Sequence, residues 1–253
     1  ATAFKALHIP GTSLLLANIY SPLSARTVAS LPRCKALATA SYALAQSLNK
    51  PDEALTLSDQ LSLLPPIAAV ATEFNLPLTL DIQDGYASAG DYETLKRTVK
   101  RFITEFGAVG VNLEDSWHEQ EGGEETMMDE EEAVKRVQTV MEAARELGVD
   151  DFVVNARADT FLKGGRLEES IRRARRYLGA GATVGFIFWP RSAEMRREDV
   201  RRVSEELGGM VNLGLRLGGG IAVGELAGMG VARVSVGPQV YFAVAAAGVE
   251  DGD

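Results

Sequence analysis

Apolar and polar positions alternate along this chain on two scales. Short apolar runs at 13–20, 35–40, 76–81, 108–113, 152–156, 183–188, 210–217 and 231–236 predict eight strands. Between them apolar residues recur at helical spacing, most clearly over 92–106, where Leu95, Val99, Phe102 and Ile103 form one stripe with Lys and Arg opposite. Further helices are predicted over 25–31, 56–74, 129–147, 167–178, 192–207, 222–226 and 238–247, and a helix or loop over 41–48. Ser21 and Pro22 read as a capped helix start. Pro65 and Pro66 predict a kink or a split in the helix over 56–74. The segment 117–129 is acidic, carries glycine and lacks branched apolar residues, so a mobile loop is predicted there.

Strands that alternate with helices pair in parallel. Eight such units in 253 residues predict an α/β chain folded as one domain over 1–253, a single (β/α)8 TIM barrel. A barrel of this kind carries its chemistry at the C-terminal ends of its strands. Those ends offer Ala40, Ser41 and Tyr42 after the second strand, and Asp81 and Gln83 after the third. Glu114 and Asp115 follow the fourth, Arg157 and Asp159 the fifth, Trp189 the sixth, and Arg216 closes the seventh. Asp52, in the loop after the second strand, can reach the same mouth. Asp81 and Gln83 lie two apart, so on an extended strand they point the same way. A carboxylate at the end of a buried strand is costly unless it binds something, and carboxylates completed by water suit Mg2+ or Mn2+. Arg157 is suited to gripping a substrate carboxylate in bidentate fashion.

Composition narrows the partners. Lys and Arg number 26 against 35 Asp and Glu, a net charge of −9, which disfavours nucleic acid and anionic membrane surfaces. Cys34 is the only cysteine, so no disulfide forms within the chain and a reducing compartment is expected. No apolar run reaches the roughly 18 residues of a membrane span, and no charged-then-apolar leader opens the sequence. A cytoplasmic location is the expectation.

The runs KALATASYALAQSL at 35–48 with Pro51 and Asp52, LPLTLDIQDGYA, VGVNLEDS, VVNARADTF and GVARVSVGP together resemble the isocitrate lyase/phosphoenolpyruvate mutase superfamily. The similarity runs from Phe4 to about Ala246 and is greatest to the small branch that includes oxaloacetate decarboxylases and hydrolases. The resemblance implies Mg2+-dependent making or breaking of a C–C or C–P bond next to a 2-oxo carboxylate, through an enolpyruvate-like intermediate. It implies Asp81 as the direct metal ligand, and Asp52 and Glu114 as acids holding the metal's water shell. It implies Arg157 as the carboxylate-binding arginine, and Ala40, Ser41 and Tyr42 as the turn that holds the 2-oxo acid. It also implies a homo-oligomer, a dimer or tetramer that exchanges its last helices.

Three departures from the family pattern stand out. Gln83 replaces the second acid of the metal motif, which removes one negative charge. Ala40 replaces the first serine of the substrate turn. Segment 117–128 has neither the Lys and Cys of the isocitrate lyase loop nor the lysine of the mutase loop; His118 is its one non-carboxylate acid or base. These departures argue against isocitrate cleavage and against the mutase reaction. The expectation is a lyase for a small 2-oxo dicarboxylate, with Glu114, His118 and Arg157 catalytic and Trp189 bordering the substrate. Two alternatives remain open: a degenerate member that binds a metabolite or acts as a scaffold without turnover, and a biosynthetic lyase or condensing enzyme whose bulkier substrate lies against Tyr42, Phe188 and Trp189. Among the other residues, Cys34 is expected as a core or rim thiol, Gly218–Gly220 as a flexible loop, and the arginines at 166, 172, 173, 175 and 176 as a solvated helix face.

Overall fold

In the computed structural model, which describes residues 1–118, 126–190 and 192–250, the eight apolar runs lie side by side in one sheet. Nine strands form it, because the first run divides at Ala17 into β1 (Leu14–Leu16) and β2 (Asn18–Ile19). The others are β3 (Leu37–Thr39), β4 (Leu78–Asp81), β5 (Ala108–Glu114), β8 (Val153–Ala158), β9 (Val184–Ile187), β10 (Val211–Gly214) and β11 (Arg233–Ser235). Their order is β1-β11-β10-β9-β8-β5-β4-β3-β2, and each neighbouring pair is parallel. The two ends of this order are consecutive in the chain, so the sheet curls into a nearly closed barrel. Asn18 stitches the seam: its amide donates to the Thr39 carbonyl at 2.8 Å and accepts from the Gly237 N–H at 2.8 Å.

Helices α2 (Pro22–Ala29), α3 (Ser41–Ser47), α4 (Leu57–Glu73), α5 (Tyr92–Phe106), α6 (Glu130–Arg145), α7 (Leu167–Gly179), α8 (Arg197–Glu206) and α9 (Val223–Gly228) cross between successive strands. Residues alternate across each strand. Leu78, Leu80 and Ile82 face outward into the layer between sheet and helices, where α5 buries Leu95, Val99 and Phe102. Burial of each such side chain contributes about 1.5–3 kcal/mol. Thr79 and Asp81 face inward. A second, smaller apolar cluster fills the bottom of the barrel: Phe4, from the short N-terminal helix α1 (Thr2–Lys5), packs on Leu14, Leu16, Ala36, Ala38 and Val153. The barrel is therefore plugged at one end and open at the other.

Several expectations need correction. The helix α4 runs unbroken through Pro65 and Pro66. Both prolines lie on its exposed face, so water can hydrate the carbonyls that lose their N–H partners, and no split is needed. The last predicted helix becomes α10 (Gln239–Glu250), and the helix expected from 192 starts only at Arg197. The expected loop at 117–129 begins and ends in paired strands, β6 (Ser116–Trp117) antiparallel to β7 (Thr126–Met127), while 119–125 lie outside the described residues. The arginine face of α7 is not wholly solvated. Arg173 is buried at 8% exposure and pairs with Asp115. Cys34 is half-buried beside the Ala36 carbonyl, as a rim thiol.

Candidate functional site

A cavity of about 790 Å³ opens at the C-terminal ends of the strands. Ala40, Ser41, Tyr42, Asp52, Asp81, His118, Arg157 and Trp189 all line it, so residues predicted from separate parts of the chain meet at one place. Gln83 and Glu114 stand just behind its wall. Asp115 and Asp159 lie deeper, and Arg216 lines the rim, donating to the Pro190 carbonyl at 2.6 Å and that of Ala193 at 2.9 Å.

Asp81 ends β4 and is held from three sides. Its carboxylate accepts the Ser41 N–H at 2.9 Å, from the first turn of α3, and the Asn112 amide at 2.7 Å, from β5. Its own N–H donates to the Thr39 hydroxyl at 2.8 Å, and its carbonyl accepts from Gln60 of α4 at 2.5 Å. After Asp81 the chain must turn sharply. Gln83 adopts φ 50°, in the left-handed region where non-glycine residues are uncommon, and Gly85 has φ 87°. A Cβ on Gly85 would lie 2.4 Å from Leu95, so only glycine fits. The Gln83 amide is thereby directed at Asp52, donating to its carbonyl at 2.8 Å and its carboxylate at 3.0 Å. Gln83 thus positions Asp52, on the 3-10 turn Asp52–Ala54, rather than pointing at the cavity beside Asp81.

Burial, and then the Asp81 charge, push the Asp52 carboxyl up to about 6. A cation between these two inward carboxylates would relieve the repulsion that the Asp81 charge exerts on Asp52. Among the described residues no group of three or more His, Cys, Asp or Glu side chains converges as ligands. Mg2+ usually takes one or two carboxylates and keeps several waters, so the Asp81–Asp52 pair fits such an ion.

A second set of charges lies across the cavity. His118 Nε2 and Glu114 Oε2 are 2.8 Å apart. Burial drives Glu114 up to about 7 against the pull of Arg157 and His118. Burial opposes charge on His118 as well, but Glu114, Asp84 and Asp52 prevail and raise it to about 9. Near neutral pH the pair holds a proton between Nε2 and Oε2. Arg157 has less freedom than expected: Nε and Nη2 form a fork on Asp159 at 2.5 and 2.8 Å, and Nη1 donates to Glu114. The Phe188 ring covers its guanidinium, with 4.8 Å from Cζ to the ring centre. Asp159 is fixed in turn by the Ser116 hydroxyl at 2.8 Å and by its own N–H donating to Asp115 at 2.8 Å. A substrate carboxylate at Arg157 is left the N–H groups that Asp159 and Glu114 do not take.

Sequence reasoning missed the polar interior. Asn112, Asn155 and Asn212 sit mid-strand on β5, β8 and β10 and form an amide ladder: Asn155 donates to Asn112 at 2.6 Å, and Asn212 donates to Asn155 at 3.1 Å and to Ser235 at 3.0 Å. With Asn112 on Asp81, the ladder ties the acid to the far side of the barrel. Arg233, inward on β11, also lines the cavity. Burial lowers its guanidinium to about 9 while the Asp81 charge pulls it back up. Its signal was available: one charged residue inside the otherwise apolar run VARVSV.

Residues 4–251 match the family model described as phosphoenolpyruvate phosphomutase. A curated relative is the chloroplastic carboxyvinyl-carboxyphosphonate phosphorylmutase of Arabidopsis thaliana, 33% identical over 64% of this chain. The chain spans about half the length of that relative, 47% of it. Among solved structures, a Burkholderia cenocepacia J2315 protein provisionally named a phosphonomutase is 31% identical, with a TM-score of 0.85 over 100% of this chain and 98% of the other. Oxaloacetate acetylhydrolase in complex with its product oxalate is 26% identical, with a TM-score of 0.83 over 99% of this chain and 84% of the other. This chain belongs to the phosphoenolpyruvate phosphomutase family, within a superfamily of lyases and mutases built on this barrel.

Proposed function

We propose that this family member is a Mg2+- or Mn2+-dependent lyase that breaks the C–C bond next to the 2-oxo group of a small 2-oxo dicarboxylate, with oxaloacetate as the nearest example. The observation that carries the reading is the inward pair Asp81 and Asp52 at the cavity wall, with Asp52 held up to about 6 by burial and by Asp81. Asp81 and Asp52 would hold the ion, with Glu114 and Gln83 orienting its surroundings. When bound, the ion supplies Lewis-acid polarisation of the 2-oxo carbonyl. The Ser41 N–H, at the start of α3, and Tyr42 border the 2-oxo acid, and the spare N–H groups of Arg157 receive its carboxylate. As the bond breaks, the electron pair stays on the carbon next to the carbonyl, and the other carbon departs as CO2, giving pyruvate, or takes up water, giving oxalate. His118, sharing its proton with Glu114 at 2.8 Å, is the group suited to supplying or taking a proton there. Trp189, donating to the Glu194 carbonyl at 3.2 Å and packed edge-on against Phe161, limits water at the rim.

The partner is thus a small 2-oxo acid. A homo-oligomer, dimer or tetramer, belongs to the same reading and is supported by Val244 at 58% exposure on the apolar helix α10. A cytoplasmic site of action is supported by the single cysteine; among the described residues no helix is long and apolar enough to cross a membrane. The test is a screen of 2-oxo acids with Mg2+, read by pyruvate or oxalate release. Metal-dependent turnover of at least one, abolished in Asp81→Ala, is expected. Turnover by none of them, with the Asp81→Ala variant melting like the wild type in Mg2+ and oxalate, would favour a binding or scaffold role instead.

A further inference from the structure

The walls of the cavity descend well below the metal-site carboxylates. Ala38, Thr79, Asn155 and Arg233 line its lower part, and Arg233 lies level with Leu14 of the apolar plug. The volume, about 790 Å³, falls in the upper part of the ~300–1,000 Å³ usual for ligand pockets. A four-carbon acid at the rim leaves much of it unfilled.

At this floor sits a cation with too few acceptors. Arg233 is 2% exposed, and among the described residues its Nε and Nη1 have no hydrogen-bond partner. The other inward or buried arginines do better. Among the described residues Arg136 and Arg173 leave only Nε without a hydrogen-bond partner, Arg136 donating to the Asp84 and Ala87 carbonyls and to Glu132, Arg173 to Asp115 and the Met128 carbonyl. Arg157 donates to Asp159 and Glu114. A buried guanidinium without acceptors is strongly unfavourable, and an oxyanion is its natural complement. A second group points to the same ligand. The Thr79 hydroxyl, 2% exposed and lining the same floor, is also without a partner. A guanidinium and a hydroxyl that line one cavity and lack acceptors make a donor set for a carboxylate. The amide ladder keeps the walls rigid, so the donors do not have to be ordered on binding.

We propose that Arg233, with Thr79, forms an anion subsite at the barrel floor that takes the distal carboxylate of an elongated 2-oxo dicarboxylate whose oxo end lies at the Asp81 rim. The inference rests on the 2-oxo acid reading above and narrows its substrate class. Recognition then reads chain length, because the arm between the two ends must span from rim to floor. Arg157 and Arg233 divide the work: the first meets the carboxylate beside the reacting carbon, the second the remote one.

Binding, not turnover, tests this. Intrinsic tryptophan fluorescence follows titration with 2-oxoglutarate and 2-oxoadipate and with their monocarboxylate counterparts, 2-oxopentanoate and 2-oxohexanoate, with and without Mg2+. In the wild type at least one diacid is expected to bind about tenfold or more tightly than its counterpart, the scale of one good charged contact. In Arg233→Met the ratio is expected to fall to within about twofold while pyruvate affinity is unchanged, and Arg233→Lys recovers part of it. A ratio near one in the wild type, or a full ratio retained in Arg233→Met, overturns the proposal. If neither variant folds, a crystal structure of the wild type with the tightest diacid decides. A carboxylate on Arg233 Nε or Nη1 supports the subsite, and both carboxylates at the rim refute it. Because the ratio is read without catalysis, failure of turnover leaves this test intact. Loss of the ratio likewise leaves the rim lyase reading standing.

Discussion

Arg173 of α7 lies among arginines that face solvent, yet it is the internal counter-charge of Asp115. The Asp115 carboxylate accepts the Tyr177 hydroxyl at 2.6 Å, Arg173 Nη1 at 3.2 Å and the Asp159 N–H at 2.8 Å, and Arg173 Nη2 also holds the Met128 carbonyl at 3.1 Å. Arg173→Met keeps most of the stem and removes the charge. Taking away one partner of a buried ion pair costs about 3–5 kcal/mol. Asp115 retains the Tyr177 and Asp159 donors, so the low end, about 3 kcal/mol, is expected at pH 8, or about 6–12 °C in melting temperature. The loss depends on pH in a definite direction. Burial, then the Asp159 charge, already raise Asp115 to about 6. A carboxyl whose folded pKa lies above its unfolded value near 3.9 is best tolerated when protonated, so its contribution to stability falls as pH rises from about 4 to 6. Without Arg173 the pKa climbs further, and the fall continues to higher pH. The difference between wild type and variant should therefore be small near pH 5 and full at pH 8, in thermal melts across that range. A loss under about 1 kcal/mol at pH 8, or one equal at both ends, refutes the assigned pairing.

Two further outcomes follow from residues at the barrel bottom. Burial, and then the Arg233 charge, hold His8 down to about 4, so the unfolded chain takes up its proton first as pH falls below 6.5. Wild type should lose up to about 3 kcal/mol relative to His8→Gln between pH 6.5 and 4, and parallel pH–stability profiles for the two proteins would contradict this. Gly110→Ala would place a Cβ 2.6 Å from the Val153 carbonyl and 3.3 Å from Phe4, so about 1–3 kcal/mol of destabilisation is expected in denaturant unfolding; an unchanged midpoint would show that the plug gives way freely.

The barrel was legible because its strands are buried on both faces and so read as continuous apolar runs, with punctuation between them. Asp81 was legible for the opposite reason: an acid at the end of such a run breaks the pattern. The split of the first strand at Ala17 was not, since nothing in SLLLANIY distinguishes residues that pair to the left from those that pair to the right. Pro65 and Pro66 misled because a helix-breaking tendency says nothing of exposure. Strand alternation sets Gln83 on the same face as Asp81, but its left-handed φ of 50° takes it out of the strand and directs it to Asp52. Asn112, Asn155 and Asn212 carried a signal that goes unread one strand at a time. Each is a lone amide in an apolar run; the sheet register sets Asn112 beside Asn155, and Asn212 reaches Asn155 only across the intervening β9.

On the proposed reading, Asp81 and Asp52 hold a divalent cation at the mouth of this barrel. Titration of the wild type with Mn2+, followed by the paramagnetic relaxation of solvent water, tests it without reference to any substrate. One saturable Mn2+ site per chain that Mg2+ displaces is expected, weakened by about 100-fold or more in Asp81→Ala, the loss expected on removing a direct ligand. No saturable site, or equal affinity in the wild type and Asp81→Ala, would contradict it.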